Sequence, residues 1–144
     1  MDSPLTSPLH VQAWPDPVID RLGLPPSSAY FEWLWLPRIG PSAAWAYRRL
    51  TSGLEVAPDG FDLELAELAH WLGVGGTGAN SPLQRCLGRL VLFGLALAVD
   101  RTTLGLRRRV PPLSRAQLAR LSPHLQRTHH RLVAAQPAPV AAAS

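Results

Sequence analysis

Residues 62–110 read DLELAELAHWLGVGGTGANSPLQRCLGRLVLFGLALAVDRTTLGLRRRV, and they predict two helices followed by a β-hairpin. The first of these helices is expected to begin at Asp62 as its N-cap and to end at Gly73. Its buried face is an apolar stripe with helical spacing, formed by Leu65, Leu68, Ala69 and Leu72. The glycine-rich turn GVGGTGAN, residues 73–80, then stops the helix.

The second helix has the clearest start in the chain. Ser81-Pro82-Leu83-Gln84 predicts a capping box, in which Ser81 accepts a hydrogen bond from the Gln84 backbone and the Gln84 side chain reaches back. One apolar face follows, formed by Leu83, Leu87, Leu90 and Gly94, with Cys86 and Val91 beside it. The opposite face carries Ser81, Arg85, Gly88, Arg89 and Leu92. We expect this helix over residues 81–93, with Cys86 as a core residue and not a nucleophile.

The sequence then changes from helical to alternating periodicity. A strand, a short turn and a second strand are predicted within residues 96–110, and Pro111 ends the second strand. One face of the second strand would carry Leu104, Leu106, Arg108 and Val110, and the other Gly105, Arg107 and Arg109. The tip of the hairpin would consist of Arg101, Thr102 and Thr103.

Helical patterns flank this segment on both sides. A helix is expected from Pro41 or Ser42 to Gly53. The aromatic stretch SAYFEWLWL, residues 28–36, fits either a short helix capped by Ser28 or an edge strand. A last helix is expected from Ser114, and Pro123 either kinks it or begins a second turn. The predicted fold class is therefore mainly α with a small β-hairpin, an α+β fold with a three-helix core and a C-terminal helix.

The chain of 144 residues has room for one domain, and 47% hydrophobic residues allow a compact core. Six prolines fall within residues 1–29, so residues 1–27 are predicted to be a flexible arm. The ordered domain is expected over residues 28–132. Residues 133–144, rich in Ala and Pro, are predicted to be a disordered tail.

Charge is divided unevenly along the chain. Residues 1–84 contain four Arg and nine acidic residues, whereas residues 85–144 contain ten Arg and one acid, Asp100. All the basic residues are Arg, which a GC-rich genome would explain, but such a bias does not explain why the acids stop. The second half of the chain is therefore expected to face an anionic partner.

Several classes of protein are disfavoured. A single cysteine excludes an intramolecular disulfide framework and a thiolate-rich zinc site. No signal peptide is recognisable at the N-terminus, and the apolar run over residues 90–99 is too short to cross a bilayer. We therefore expect a cytoplasmic, nucleoid-associated protein with no membrane partner.

Enzyme chemistry is also not predicted. The turn at residues 73–80 lacks the lysine of a phosphate-binding loop, so no nucleotide is expected. His124, His129 and His130 have no acid or thiol nearby in sequence, and they are interpreted as a solvated helix end and not as a metal site. No catalytic residue, metal or cofactor is expected.

Two segments carry a resemblance to a known family. LELAELAHWLGV, residues 63–74, and SPLQRCLGRLVLFGLA, residues 81–96, resemble the paired helices of the winged helix-turn-helix superfamily. The matching features are Leu68-Ala69, Leu72-Gly73, the Ser81-capped helix and Phe93-Gly94-Leu95 before a hairpin. The resemblance covers about residues 41–110. The turn at residues 73–80 is longer than is usual in that superfamily.

This resemblance implies a duplex-DNA-binding transcriptional regulator. The second helix would lie in the major groove, and the hairpin would be a wing on the backbone. Arg85 and Arg89 would contact guanine, and Gln84 adenine. The implied DNA-binding residues are Thr77, Asn80, Ser81, Gln84, Arg85, Gly88, Arg89, Arg101, Thr102, Thr103, Arg107 and Arg109. Gly88 either leaves room for the DNA or packs closely against another helix.

Two further expectations concern protein partners. The alternative function is a winged-helix module that docks an acidic protein, because Gly88 and Leu92 leave the second helix with few polar groups for base contact. Trp33, Trp35 and Trp45 exceed what one small core needs. We therefore also predict a homodimer formed through the aromatic N-terminal segment.

Overall fold

Residues 4–76 and 78–135 are described by a computed structural model, and within them the chain forms an α+β fold. The helices are α1 (Pro17–Leu22), α2 (Leu36–Ile39), α3 (Pro41–Val56), α4 (Leu65–Leu72), α5 (Pro82–Leu92), α6 (Arg115–Leu118) and α7 (Pro123–Ala134). A π-helical turn at Phe31–Trp35 leads into α2. The strands are β1 (Leu9–Ala13), β2 (Phe61–Leu63), β3 (Ala96–Asp100) and β4 (Thr103–Leu106). None of the described helices has the length and apolar character that a membrane span requires.

The four strands form one sheet in the order β2-β1-β4-β3. β1 runs antiparallel to β2 and parallel to β4, with Val11 paired to Leu104, and β3 runs antiparallel to β4. Side chains of β1 and β4 are buried on the same core as the helices, namely Leu9, Val11, Leu104 and Leu106. The sheet therefore closes one side of the core that α3, α4 and α5 build.

The prediction of a flexible arm over residues 1–27 is wrong for its described part. β1 is an interior strand, and Leu5 is buried before it. The prolines mark the ends of elements: Pro8 precedes β1, and Pro17 occupies the first position of α1, where a missing N–H costs nothing. At the other end, the predicted tail at 133–144 begins inside α7, and residues 136–144 lie outside the described residues.

The helix predicted from Pro41 does begin there, but it continues past Gly53 to Val56. Gly53 is not a stop signal. A Cβ at this position would lie 2.6 Å from a ring carbon of Phe61, so the glycine makes room for that ring. The aromatic stretch before α3 is helical, and Ser28 caps it by accepting from the Phe31 backbone N–H at 3.2 Å.

The start predicted for α4 is wrong, and its end is confirmed. Asp62 lies in β2, and its carboxylate contacts His10 Nδ1 at 2.7 Å. The first free N–H of the helix, on Leu65, donates instead to Ser7 Oγ at 2.7 Å. The helix ends at Gly73, whose φ of 68° is the left-handed conformation that glycine adopts most readily.

The predicted hairpin is formed by β3 and β4, but it is not a free wing. β4 ends at Leu106 and lies between β1 and β3, so β3 alone is an edge of the sheet at this side. Leu104 and Leu106 of β4 are buried in the core. Val110 is also buried, and it pairs with Leu24 in an isolated bridge.

The C-terminal region forms two helices. Ser114 and Gln117 make a reciprocal capping box at α6, and α7 starts at Pro123 with Ser122 as its cap, so the alternative of a second helical turn is the correct one. Trp35 is buried in the core of its own chain, and its indole N–H donates to the Pro111 carbonyl at 3.1 Å. It is therefore not part of a dimer surface, while Trp33 and Trp45 are exposed. The homodimer itself stays a prediction.

Candidate nucleic-acid interface

The rotation of α5 about its axis is fixed by its apolar face. Ser81 caps the helix, as predicted, by accepting from the Gln84 backbone N–H at 3.2 Å. The apolar side chains that the helix buries are Leu83, Cys86, Leu87 and Leu90. Burial raises the pKa of the Cys86 thiol, as expected for a core cysteine. Because one side of α5 is fully packed, the opposite side must face outward.

The outward face of α5 is open. Arg85, Arg89 and Leu92 are exposed, and the exposed fraction of Leu92 is 76%. A Cβ added to Gly88 would meet no atom within 4 Å. The alternative that Gly88 packs closely against another helix is therefore wrong, and the backbone between the two arginines is accessible.

The two arginines of this face differ in how far the protein engages them. Arg89 donates through Nε to the Ile39 carbonyl at 2.7 Å and through Nη2 to the Arg38 carbonyl at 3.0 Å. These carbonyls belong to the end of α2, where helix carbonyls lack intrahelical partners. Arg85 donates to no other group in the described part of the chain. Arg89 is thus held in place, and Arg85 has all its donors available.

An open groove of about 400 Å³ runs along this face. It is lined by Pro4, Ala79, Asn80, Gln84, Arg85, Gly88, Arg89 and Leu92. On its far side the Pro4 carbonyl lies 3.5 Å from Nε of Arg101, at the tip of the hairpin. The structure therefore brings together six of the predicted residues: the groove is lined by Asn80, Gln84, Arg85, Gly88 and Arg89, and Arg101 lies beside its Pro4.

Gln84 does not have the role predicted for it. Its Oε1 accepts from the Leu5 backbone N–H at 3.2 Å, and its Nε2 donates to the Leu5 carbonyl at 2.8 Å. The side chain is buried and reaches neither a base nor the Ser81 backbone. Ser81 is also buried, and its hydroxyl is used as the cap. Both side chains therefore stabilise the interface from inside the protein, and neither remains a candidate for contact with DNA.

β4 ends at Leu106, so the shared strand face predicted for Arg107 and Arg109 is not formed, and both arginines instead bind groups at the ends of α1. Arg107 pairs with Asp16 at 2.5 Å, donates to the Gly94 carbonyl at 2.8 Å and lies over the ring of Trp14. Arg109 donates to the Gly23 carbonyl at 3.2 Å. Since Asp16 caps the start of α1 and Gly23 its end, the two arginines fix α1 on the sheet. Their assignment to DNA is corrected.

The hairpin tip offers one cation. The backbone N–H and the hydroxyl of Thr102 both donate to the Asp100 carboxylate, at 2.8 and 2.9 Å. These bonds hold the pKa of Asp100 below its usual range, so a carboxylate stands beside Arg101 and opposes an approaching phosphate. Thr103 is a strand residue of β4 paired with β1. Thr77, also predicted as a contact, lies outside the described residues.

Three residues that line the groove, Pro4, Ala79 and Leu92, are not among the predicted contacts, and one histidine was misplaced. Pro4 was assigned to the arm, although the alternation of Leu9, His10 and Val11 just after it was a strand signal. His129 is buried and contacts the hydroxyl of Tyr30 at 2.7 Å, so it does not belong to a solvated helix end. Within residues 4–76 and 78–135, no three His, Cys, Asp or Glu side chains lie together as metal ligands.

Comparisons of this chain with protein-family models, with curated proteins and with solved structures found no match.

Proposed function

We propose that this protein binds duplex DNA through the outward face of α5 and acts as a transcriptional regulator. The observation that carries the proposal is the open surface on which Arg85 and Arg89 flank Gly88, with no atom within 4 Å of the place where a Gly88 side chain would be. A helix that enters a DNA groove needs such an uncovered face. The winged-helix resemblance of residues 41–110 supports the same proposal, and the order α3, α4, α5 and hairpin agrees with it.

The dimensions of α5 suit a major groove. Its 11 residues give a length of about 16 Å at 1.5 Å per residue, and the major groove of about 12 Å admits one helix. Without a side chain at Gly88, the helix axis can come closer to the base edges. Arg85 lies in the first turn of α5 with its guanidinium donors available, so it can form the bidentate bond to guanine O6 and N7.

The neighbouring cations are suited to phosphates. The carbonyls of α2 hold Arg89 by two of its donors, which leaves it in a fixed position at the edge of the groove. Arg101 lies beside Pro4, which lines the same groove. Contacts of this kind set the orientation of a protein on DNA but carry no sequence information. In this proposal Arg85 reads a base, and Arg89 and Arg101 contact the backbone.

A second function, docking of an acidic protein, is favoured by one observation. Leu92 lies in the same groove with 76% of its surface exposed, and an exposed leucine gains more from an apolar partner than from a DNA backbone. An acidic partner with an apolar side chain would satisfy both Leu92 and the arginines.

The experiment that tests DNA binding first selects a preferred duplex from a random pool. The affinities of Arg85→Ala and of a control, Arg108→Ala, are then measured on this duplex and on random DNA. Arg108 is also exposed but does not line the α5 groove. We expect Arg85→Ala to lose about 1–3 kcal/mol on the selected duplex and much less on random DNA, and the control to match wild type.

Three results would contradict this assignment. If Arg85→Ala loses the same affinity on the selected duplex and on random DNA, Arg85 is a phosphate contact. If Arg85→Ala and Arg108→Ala have the same affinities, α5 is not the helix that reads the sequence. Binding to polyglutamate without binding to any duplex would favour the acidic protein partner.

A further inference from the structure

Three open grooves adjoin along one side of the molecule. The first, of about 340 Å³, is lined by Pro41, Ser42, Trp45, Arg49, Trp71 and Leu72. A second groove of about 270 Å³ shares Pro41 and Ser42 with the first. It also shares Arg85 and Arg89 with the groove along α5. The three therefore form one trough, which runs from the tryptophans of α3 and α4 to the arginines of α5.

Two tryptophan rings are exposed at one end of this trough. Trp45 lies near the start of α3 with 56% of its surface exposed, and Trp71 lies near the end of α4 with 48% exposed. Arg48 lies over the Trp45 ring at 5.1 Å from its centroid, which restricts the orientation of that ring. Two large aromatic side chains left in water and lining the same groove point to a ligand with flat apolar faces.

The charge of the trough is of one sign. Of the described residues that line the three grooves, Arg49, Arg85 and Arg89 are cations, and none is acidic. The eight described acids of residues 1–84 therefore lie elsewhere, although α3 and α4 both belong to that acidic half of the sequence. A trough that is cationic within an acidic segment is complementary to a polyanion.

Flat faces combined with negative charge are the chemistry of an unpaired nucleic-acid strand. Single strands bind where aromatic side chains stack on successive bases and cations follow the phosphates. In a duplex, neighbouring base pairs cover the faces of each base, so the rings of Trp45 and Trp71 could stack only on bases that are out of the helix.

We propose that the trough binds a single-stranded segment of nucleic acid, with Trp45 and Trp71 stacked on bases and Arg49 on the phosphates between them. The proposal deepens the proposed function, since Arg85 and Arg89 belong to both surfaces. A strand that leaves a duplex held on α5 would then continue into the trough. The tryptophan end contains none of the residues assigned to the duplex, so the two claims can fail separately.

The test compares two probes, an oligothymidylate of about 12 nucleotides and the duplex selected on α5. The variants are Trp45→Ala and Trp71→Ala, and the matched control is Trp33→Ala. Trp33 has 48% of its surface exposed but packs against His124, away from the trough. We expect each trough variant to weaken oligothymidylate binding by about 10-fold or more and to leave binding to the blunt duplex unchanged. The control should bind both probes like wild type.

Conservative variants separate stacking from folding. Trp45→Phe and Trp71→Phe keep an aromatic ring, and they should retain most of the affinity that the alanine variants lose. Oligothymidylate that fails to bind wild type, or that binds all variants equally, overturns the proposal. The proposal is also overturned if polyglutamate binds where oligothymidylate does not, and if Trp45→Ala weakens polyglutamate binding by about 10-fold. That result would indicate an acidic protein as the partner. If wild type binds oligothymidylate but not the duplex, the proposal for the trough is supported and the proposed duplex-binding function is refuted.

Discussion

At the scale of single residues, the arginines differ by what they contact inside the protein. Arg107 is neutralised by Asp16, and this ion pair holds the pKa of the Asp16 carboxyl below its usual range. Arg89 uses two of its donors in hydrogen bonds to carbonyls of α2. Arg85 donates to no group among residues 4–76 and 78–135, so its donors are available to a ligand. A bidentate bond to guanine requires two parallel N–H groups that are not already engaged, so Arg85 is the residue best suited to read sequence.

We predict that the side chain of Gln84 stabilises the folded protein. In Gln84→Met both amide bonds to the Leu5 backbone are lost, while a side chain of similar length fills the space. The buried N–H and C=O of Leu5 lose these partners, which should lower the free energy of unfolding by about 1–3 kcal/mol. Urea denaturation measures this loss.

The control for Gln84 is Gln126→Met. Gln126 is half-buried on α7 and makes a single side-chain bond, to the Leu121 carbonyl. It should lose clearly less stability than Gln84→Met. Faster amide exchange at Leu5 in Gln84→Met should accompany the loss, and an unchanged unfolding curve would contradict the role assigned to the Gln84 side chain.

At the scale of elements, α7 is joined to the rest of the fold by one buried polar contact. The hydroxyl of Tyr30 accepts from the Leu113 backbone N–H at 2.8 Å and lies 2.7 Å from His129 Nδ1. A neutral imidazole can accept a hydrogen bond from the hydroxyl at Nδ1. Burial lowers the pKa of His129, and the neighbouring His130 lowers it further, so the folded state favours the neutral ring.

The stability of the protein should therefore fall in mild acid. Because the pKa of His129 in the folded state lies below its ordinary value of 6.5, this contribution is fully present above that pH and is lost as pH falls below it. Urea unfolding between about pH 7.5 and about pH 5.5 measures the loss. In His129→Gln the pH dependence should be smaller. His124→Gln, an exposed change on the same helix, should keep it, and equal slopes for both variants would exclude His129 as the cause.

At the scale of the whole molecule, elements with local signals could be predicted from the sequence. The Ser81 cap, the Gly73 end of α4 and the alternating residues of β3 and β4 each depend on neighbours in the chain. The position of β1 does not depend on its neighbours in the chain. Its place between β2 and β4 is set by pairing with strands about 50 to 90 residues away, which no local pattern records. The flanking prolines also made the strand resemble a disordered arm.

The same division explains the candidate site. The outward direction of Arg85 and Gly88 followed from the apolar stripe on the other side of α5, and it could be predicted. The ion pair of Arg107 joins residues 91 positions apart, and the bonds of Gln84 to Leu5 span 79. Both pairings depend on where β1 lies, so the loss of these residues from the interface followed from missing that strand.

The most direct test of the central claim locates the DNA on the protein. Backbone amide shifts of the whole chain are recorded during titration with the selected duplex. The largest changes are predicted along α5, from Arg85 to Leu92, with a second group at Arg101. Changes confined to α7, where Arg127 and Arg131 form another exposed basic surface, would show that DNA binds elsewhere and would contradict the assignment of α5 as the reading helix.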